Sequence, residues 1–277
     1  MVTGGQGRIG TAVCAHLRTL GADPVVVSMP DIDTTDAAAV ADAMKGVDLV
    51  VHLAAIPSPL EDAWPEIFAT NVTSTFNVLW AAAEHGVRRA VIASSINASG
   101  IPFNSRDLLP AYFPFDEDIP TDIEDPYSLS KSVDEQTAQM AWRKWGIDVA
   151  AIRFPFTAEW DDVVAHSEEL AEHPEQGVVE GWTYLDVRDA ARVVELGLTR
   201  PISGVQTIFV SADETAVPYA TQDLLQTLAG DVPRLRAFVG REVPANLTRA
   251  RAVLGFRAEH VLELDERPFR GPAAAQS

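Results

Sequence analysis

The sequence predicts an α/β fold in which helices cover both faces of a doubly wound parallel sheet. Three observations predict it. A glycine-rich turn at residues 3–10 precedes a helical stretch at 11–18. The apolar runs at 48–55 and 90–95 are typical of strands that are buried on both faces. Helical stretches alternate with these strands as far as Arg153, which is the pattern of successive βαβ units.

The turn that follows the first strand has glycines at positions 4, 7 and 10. Gly4 allows a tight turn, Gly7 lets a pyrophosphate approach the backbone, and Gly10 lets the helix pack closely on the strand. The anion is then held at the positively polarised N-terminus of the helix. Only two residues precede this motif, whereas a strand has about five or six, so we predict that the natural start lies upstream.

The alternation of strands and helices divides the chain into three parts. Residues 1–153 are expected to form a dinucleotide-binding domain. Residues 154–265 are more irregular and begin with an acid-rich stretch, and we assign them to a small C-terminal substrate lobe that also returns to the sheet. Residues 266–277, which end in a run of Gly, Pro and Ala, are expected to form a disordered tail.

Composition excludes several classes of protein. A net charge of −19 disfavours nucleic acid and anionic membrane as partners, because both would be repelled. The chain has no apolar run of about 18 residues and no leader-like start, so we expect a soluble cytoplasmic protein without a signal peptide. The single cysteine, Cys14, suits a reducing compartment and is expected to be buried and inert. The sequence indicates no metal site.

Tyr127 and Lys131 are the strongest candidates for chemistry. They stand four residues apart in a chain that has four tyrosines and three lysines. On a helix they would share a face, so that the ammonium favours the ionised phenol and makes it a general acid/base. The alternative is that Tyr127 caps a helix and Lys131 is a solvated surface charge.

Together these motifs resemble the extended short-chain dehydrogenases/reductases, the superfamily of NAD(P)-dependent sugar epimerases, dehydratases and uronate dehydrogenases, whose members have a Rossmann fold. The pattern is nearest to that of uronate dehydrogenase-like members. The resemblance covers nearly the whole chain. It rests on these pieces, in this order: the glycine turn at 3–10, 52–55, 71–73, Ser94 and Ser95 followed by Gly100, Tyr127 with Lys131, and 182–190.

The resemblance implies an NAD(P)-dependent enzyme that transfers a hydride between nicotinamide and a small sugar, polyol or related alcohol or carbonyl. Tyr127 would be the proton donor or acceptor, and Lys131 its electrostatic partner and a ligand of the nicotinamide ribose. Ser95 would orient the substrate oxygen. Ser94 is the alternate for this role, and either serine could instead bond the backbone at a strand end. His52 resembles a position that lines the cofactor, and a structural histidine is the alternative.

The resemblance also implies a set of cofactor-binding residues. NAD is expected, with NADP possible. Ser28 ends the second strand, where an NAD-preferring site usually has an acid. Asp31 or Asp33 follows and could reach the adenosine half of the cofactor. Arg8 could hold the 2′-phosphate of NADP. The full set is Gly4, Gly7, Arg8, Ile9, Gly10, Ser28, Asp31, Ile32, Asp33, Leu53, Ala54, Ala55, Asn71, Ser94, Tyr127, Lys131, Phe154 and Pro155.

Departures from the superfamily pattern narrow the substrate. The motif after Ser95 lacks the Asp-Glu pair of dehydratases, and residues 155–182 contain no Lys or Arg to hold a diphosphate or a carboxylate. A neutral sugar, polyol or aldose is therefore the predicted substrate class. Two other functions stay open, namely a nucleotide-sugar epimerase with retained NAD and a non-catalytic NAD(P)-binding regulator. By analogy, the helices near 72–84 and 127–145 would pair in a homodimer.

Overall fold

The computed structural model describes residues 1–58, 63–106, 108–269 and 271. The strands and helices of these residues are β1 (Val2–Thr3), α1 (Arg8–Thr19), β2 (Val26–Val27), α2 (Ala37–Ala43), β3 (Val50–His52), α3 (Trp64–Glu84), β4 (Arg89–Ser95), α4 (Pro126–Trp145), β5 (Asp148–Phe154), β6 (Phe156–Ala158), α5 (Trp160–Glu172), β7 (Tyr184–Asp186), α6 (Val187–Thr199), β8 (Val205–Phe209) and α7 (Thr221–Leu228). Short 3-10 helices lie at Ile96–Ser99 and Pro174–Glu180, and a π-helical turn lies at Ala250–Leu254. Within the described ranges, no helix is long and apolar enough to cross a membrane.

Six strands form one sheet in the order β2-β1-β3-β4-β5-β8. Each neighbouring pair is parallel. Helices α1 and α6 cover one face through an apolar core that includes Val13 and Val194, and α2, α3 and α4 cover the other through Val40, Val78 and Ala138. The predicted doubly wound parallel sheet is therefore confirmed. Because the strands run in one direction, their carboxyl ends meet at one edge, where ligands bind in such folds.

The first strand is short but central. Val2 and Thr3 pair with β2 on one side and with β3 on the other. The amino group of Met1 donates to the main-chain oxygen of Leu49 at 2.8 Å, and Gly4 N donates to Val27 O at 2.8 Å. These bonds hold the beginning of the glycine turn at the carboxyl edge of the sheet.

The substrate lobe has an apolar core of its own. Trp182 and Tyr184 are almost fully buried in it, and β6 and β7 form a small parallel sheet beside it. Phe113 and Phe115 also belong to this core, although they fall in the first of the three predicted parts of the chain. Phe115 N donates to Pro244 O at 3.1 Å, so the segment between β4 and α4 forms part of the lobe.

Part of the segment assigned to a disordered tail packs on the lobe. Arg267 N donates to Pro218 O at 2.6 Å, and the rings of Phe269 and Tyr219 lie 5.2 Å apart. Composition alone does not reveal these partners, because they lie about 50 residues away in sequence. Residues 270 and 272–277 lie outside the described part of the chain.

His52, at the end of β3, connects β1 with α3. Its Nδ1 lies 2.7 Å from Thr3 Oγ1, and its Nε2 lies 3.1 Å from Thr75 Oγ1. Burial, reinforced by the charge of Lys131, lowers the pKa of His52 to about 3. The imidazole is therefore neutral in the folded protein at physiological pH, and its two hydrogen bonds are structural.

The neutral His52 is expected to make the fold sensitive to acid. Its folded-state pKa of about 3 lies below the ordinary value of 6.5, so the unfolded chain binds the proton first and stability is lost as the pH falls from 6.5 towards 3. When the pH is lowered from 7 to 5, we expect the unfolding free energy of the wild type to fall by about 2 kcal/mol more than that of His52→Gln. Urea unfolding at both pH values measures the difference. The exposed His85→Gln should keep the wild-type loss, and equal losses in His52→Gln and wild type would contradict a neutral His52.

Gly10 lets α1 begin directly against the glycine turn. A β-carbon at this position would overlap Gly4 O and would lie 2.6 Å from Gly5 Cα. We expect Gly10→Ala to lower the unfolding free energy by about 3 kcal/mol, because the backbone must move apart. The control is Gly21→Ala at the other end of α1, where φ is +82° but no atom lies within 4 Å, and strain alone should cost about 1 kcal/mol. Urea unfolding compares the two variants, and a smaller loss of unfolding free energy in Gly10→Ala than in Gly21→Ala would contradict the packing argument.

Candidate active site

A cleft of about 340 Å³ opens at the carboxyl edge of the sheet. It lies where β3, β4 and β5 end and where the glycine turn passes into α1. Among the predicted site residues, those that line it are Arg8, Ile9, Leu53, Ala55, Ser94, Ser95, Tyr127, Lys131, Phe154 and Pro155. Residues from five separate strand or helix ends therefore converge on one space, as the parallel topology requires.

The glycine turn supplies the anion-binding end of this cleft. Gly4 has φ +65°, and a β-carbon there would come within 2.7 Å of Ala54 N. At Gly7, which precedes α1, no side chain caps the helix, and a β-carbon would lie 3.2 Å from Gly4 O. The first amides of α1 are thus left for an anion, so the turn fits the pyrophosphate of a dinucleotide.

The residues after β2 are placed beside the glycine turn. Ser28 Oγ accepts a hydrogen bond from Gln6 N at 3.1 Å, and Ser28 O accepts from Ile32 N at 3.1 Å. Asp31 and Asp33 are both exposed here. Hydrogen bonds from the main-chain N–H and the hydroxyl of Thr35 lower the pKa of Asp33. Two carboxylates are therefore available close to the end of β2.

Arg8 extends toward the substrate lobe. Its guanidinium donates to Thr157 O at 3.3 Å and lies 3.9 Å from the Asp162 carboxylate. The sequence left open whether this arginine could serve as a clamp for a 2′-phosphate near Ser28. The structure instead directs its side chain to the far side of the glycine turn, against β6 and α5.

Asn71 holds the loop that follows β3. Its Oδ1 accepts from Ile56 N at 2.8 Å, and its Nδ2 donates to Ile56 O at 3.1 Å and to Ser130 Oγ at 3.0 Å. Asn71 is buried and does not line the cleft. It therefore fixes the loop carrying Leu53 and Ala55 to helix α4.

The start of α4 explains the position of Tyr127. Asp125 accepts a hydrogen bond from Ser128 N at 2.8 Å and caps the helix, and Pro126 occupies the first helical position, where its missing N–H costs nothing. Tyr127 follows at once, and Lys131 lies one turn further along. Both side chains line the cleft, as expected for residues four apart on one helical face.

Lys131 is buried and its ammonium is fixed by several neighbours. Nζ donates to Ala93 O at 2.9 Å, lies 3.4 Å from Asp134 Oδ2, and lies 5.9 Å from the centre of the Tyr127 ring. Burial raises the pKa of Asp134, and the charge of Lys131 acts in the opposite direction. The ammonium thus stays close to the phenol and to the end of β4.

The two serines at the end of β4 have different partners. Ser94 Oγ donates to Glu135 at 2.6 Å, and Glu135 in turn forms a two-pronged ion pair with Arg153 at 2.8 and 2.9 Å. Ser95 Oγ instead accepts from Asn97 N and from Asn97 Nδ2, both at 3.1 Å. Since its lone pairs are occupied, the capacity left to Ser95 is to donate its hydroxyl proton.

Sequence reasoning missed several residues of the cleft, including Asn97, Phe103 and Glu180. Asn97 Oδ1 is buried without a hydrogen-bond partner in the described part of the chain. The Phe103 ring packs edge-on against Tyr127 at 6.2 Å, and Glu180 comes from the short helix before β7. The nearness of Asn97 to Ser95 in sequence is a signal that could have found it. No local pattern identifies Phe103 or Glu180, because tertiary structure brings them to the site.

Known proteins resemble this chain in sequence and in fold. The family model described as the NAD dependent epimerase/dehydratase family matches residues 1–157. A uronate dehydrogenase from Pseudomonas putida is 27% identical over 186 residues, which cover 67% of this chain and 60% of the relative. An L-arabinose 1-dehydrogenase (NAD(P)(+)) from Haloferax volcanii is 28% identical over 181 residues, which cover 58% of this chain and 68% of the relative. 

A solved structure extends the likeness beyond the family model. A short-chain dehydrogenase/reductase superfamily protein from Agrobacterium tumefaciens, crystallised with bound NAD, has a TM-score of 0.67 and 25% identity, and the match covers 94% of this chain and 92% of that chain. The predicted resemblance to this superfamily and to its uronate dehydrogenase-like members is confirmed, and NAD is the cofactor by which the family is defined. Because the family model matches more than half of the sequence, the chain belongs to the NAD-dependent epimerase/dehydratase family.

Proposed function

We propose that this protein is an NAD-dependent dehydrogenase or reductase of a small neutral sugar or polyol. The observation that carries the proposal is the meeting of Ser95, Tyr127 and Lys131 in one cleft. Among the described contacts, the Ser95 hydroxyl donates to no protein group, and the Tyr127 hydroxyl has no protein partner. Both can therefore bind the same substrate oxygen.

The chemistry follows from these positions. When an alcohol is oxidised, Ser95 holds the substrate hydroxyl and Tyr127, in its ionised form, takes the hydroxyl proton as the carbon–hydrogen bond breaks. Lys131 stabilises the ionised phenol electrostatically. Bound nicotinamide supplies the acceptor for the hydride, and in the reverse direction the donor. For carbonyl reduction, Tyr127 returns the proton to the oxygen.

NAD is favoured over NADP by the residues after β2. Asp31 and Asp33 can accept hydrogen bonds from ribose hydroxyls, and their negative charges oppose a 2′-phosphate. Arg8, the residue considered as a phosphate clamp, lies against Thr157 and Asp162 instead. The Haloferax relative is described as using NAD(P)(+), which makes the NAD-to-NADP ratio a useful part of the assay.

A nucleotide-sugar epimerase is the alternative, and it requires a cation for the diphosphate. Arg153 is buried and paired with Glu135. Arg188 forms a two-pronged pair with Asp186 at 2.7 and 2.9 Å. Neither side chain is left for a substrate, so the dehydrogenase is the better proposal. Retention of Tyr127 and Lys131 argues against a non-catalytic regulator.

A homodimer and a cytoplasmic location stay predictions. Helices α3 and α4 pack against each other and expose large apolar side chains in the manner of an interface. Phe76, Trp80, Leu129 and Trp142 are each at least 36% exposed. These side chains support pairing of α3 and α4 with a second copy of the chain.

The proposal is tested by absorbance at 340 nm with NAD or NADP and a panel of neutral aldoses, polyols and uronates. We expect turnover of a neutral sugar or polyol, with a higher kcat/KM for NAD. Tyr127→Phe should lower kcat by about 10²–10⁴-fold while NAD still binds. Tyr219→Phe is the matched control. It removes a hydroxyl that donates to Ala171 O at 2.7 Å, neither residue lines the cleft, and kcat should not change. Full activity in Tyr127→Phe would refute the assigned role.

The two serines provide a second prediction. Ser95→Ala should lower kcat by about 10²-fold, since it removes the hydroxyl that donates to the substrate oxygen. Ser94→Ala should leave kcat within about threefold, because Ser94 is bonded to Glu135. Thermal unfolding of both variants controls for damage to the fold. A larger kcat effect in Ser94→Ala would reverse the assignment of the two residues.

A further inference from the structure

Glu180 is an acidic residue of the cleft that the chemistry above does not use. It ends the short helix Pro174–Glu180 and lines the same space as Ser95, Tyr127 and Lys131. It also belongs to an acid-rich stretch, residues 156–182, which contains no Lys or Arg.

The carboxyl group of Glu180 has no cation to balance it. Burial raises its pKa and no neighbouring charge offsets the shift, so this carboxyl group ionises less readily than an exposed glutamate. The hydroxyl of Thr183 donates at 2.8 Å to the main-chain oxygen of Glu180 and not to its carboxyl group. Across the described residues, Glu180 forms no ion pair, in contrast to Glu175 on the same helix, which lies 3.4 Å from His173.

The cations that line the cleft have other partners. Lys131 lies against Asp134 and the main-chain oxygen of Ala93. Arg8 lies against Asp162 and the main-chain oxygen of Thr157. An anionic group bound beside Glu180 would therefore lie near a carboxyl group, and the cations that line the cleft would already be paired.

A strained turn fixes the position of Glu180. The next two residues both have left-handed backbone, with φ of +63° at Gly181 and +51° at Trp182. A bulky non-glycine residue rarely adopts this conformation, which persists only where surrounding contacts enforce it and which is common at ligand sites. Trp182 is enforced by burial, by its Nε1–H bond to Pro174 O at 2.7 Å, and by its N–H bond to Gly177 O at 3.0 Å.

We propose that Glu180, in its ionised form, selects the substrate by charge, accepting hydrogen bonds from the hydroxyls of a neutral aldose or polyol and excluding sugars that carry a carboxylate or a phosphate. This inference rests on the proposed function and names its substrate class. Hydrogen bonds to a charged acceptor are stronger than neutral ones, whereas a second anion beside an unpaired carboxylate is repelled in a site of low dielectric. The uronate dehydrogenases among the relatives would then differ from this chain in substrate charge.

The test compares sugars that differ only at the terminal carbon, which is a hydroxymethyl group in one and a carboxylate in the other, namely D-galactose with D-galacturonate and D-glucose with D-glucuronate. Steady-state kinetics with NAD are measured at pH 9, which favours the ionised carboxylate. In the wild type we expect kcat/KM for the neutral sugar to exceed that for the uronate by at least tenfold. In Glu180→Gln we expect KM to rise about tenfold for the neutral sugar and to fall for the uronate, with kcat for the neutral sugar unchanged within about threefold.

Glu175→Gln is the matched control, because Glu175 lies on the same short helix but is paired with His173 outside the cleft. It should keep the wild-type KM for both sugars. Thermal unfolding shows whether Glu180→Gln is folded, and Glu180→Asp, which keeps the charge, should keep the preference for neutral sugars. A uronate-to-neutral ratio of kcat/KM that is the same in Glu180→Gln and wild type would overturn the inference, while the proposed function would stand.

Equilibrium binding separates the two proposals. Isothermal titration of the NAD-loaded protein with galactose and galacturonate needs no turnover. If no sugar is oxidised but galactose binds more tightly than galacturonate and Glu180→Gln removes that preference, the charge selection holds and the proposed dehydrogenase fails. If galacturonate binds the wild type as tightly as galactose, the inference about Glu180 fails whether or not turnover occurs.

Discussion

The close approach of three backbone segments at the carboxyl edge of the sheet is the constraint on which the site depends. Gly4 lies so near Ala54 N that a β-carbon would come within 2.7 Å, and Gly10 lies directly against Gly4. These contacts place the uncapped start of α1 beside the end of β3. A dinucleotide whose pyrophosphate is held there would extend along the strand ends, toward Ser95 and Tyr127 on one side and toward the end of β2 on the other.

Pairing of buried polar groups then decides which side chains can act. An unpaired buried ammonium is expensive, and Asp134 and the carbonyl of Ala93 keep Lys131 in one place beside the phenol. The hydroxyl proton of Ser94 is donated to Glu135. Ser95 has other partners, since Asn97 donates to it twice and leaves its proton for a ligand. Two adjacent serines therefore differ in their capacity to bind a ligand, and the roles that we propose for them follow from this difference.

The sequence was sufficient for features that depend on neighbours along the chain. The glycine turn, the buried strands and the helical spacing of Tyr127 and Lys131 are local patterns, and the structure contains each of them. Features that depend on distant segments were not predictable. The contribution of Phe115 to the substrate lobe depends on a contact with Pro244, and the position of Glu180 in the cleft depends on a strained turn. Arg8 was predictable only in part. Its position in the glycine turn follows from the sequence, but the direction of its side chain depends on Asp162, which is distant in sequence.

The charge of the cleft follows from this pairing and not from the number of acidic residues in the chain. Each cation that lines the cleft lies near an acid, Arg8 near Asp162 and Lys131 near Asp134, while Glu180 has no such partner in the described structure. A bound dinucleotide would add the two negative charges of its pyrophosphate, which the start of α1 balances only in part. An anionic substrate would add a further charge with no cation left to receive it. The neutral sugar that we propose as the substrate would avoid that electrostatic cost and would offer hydroxyls to Glu180 and to Asn97 Oδ1, whereas a uronate would bear the cost.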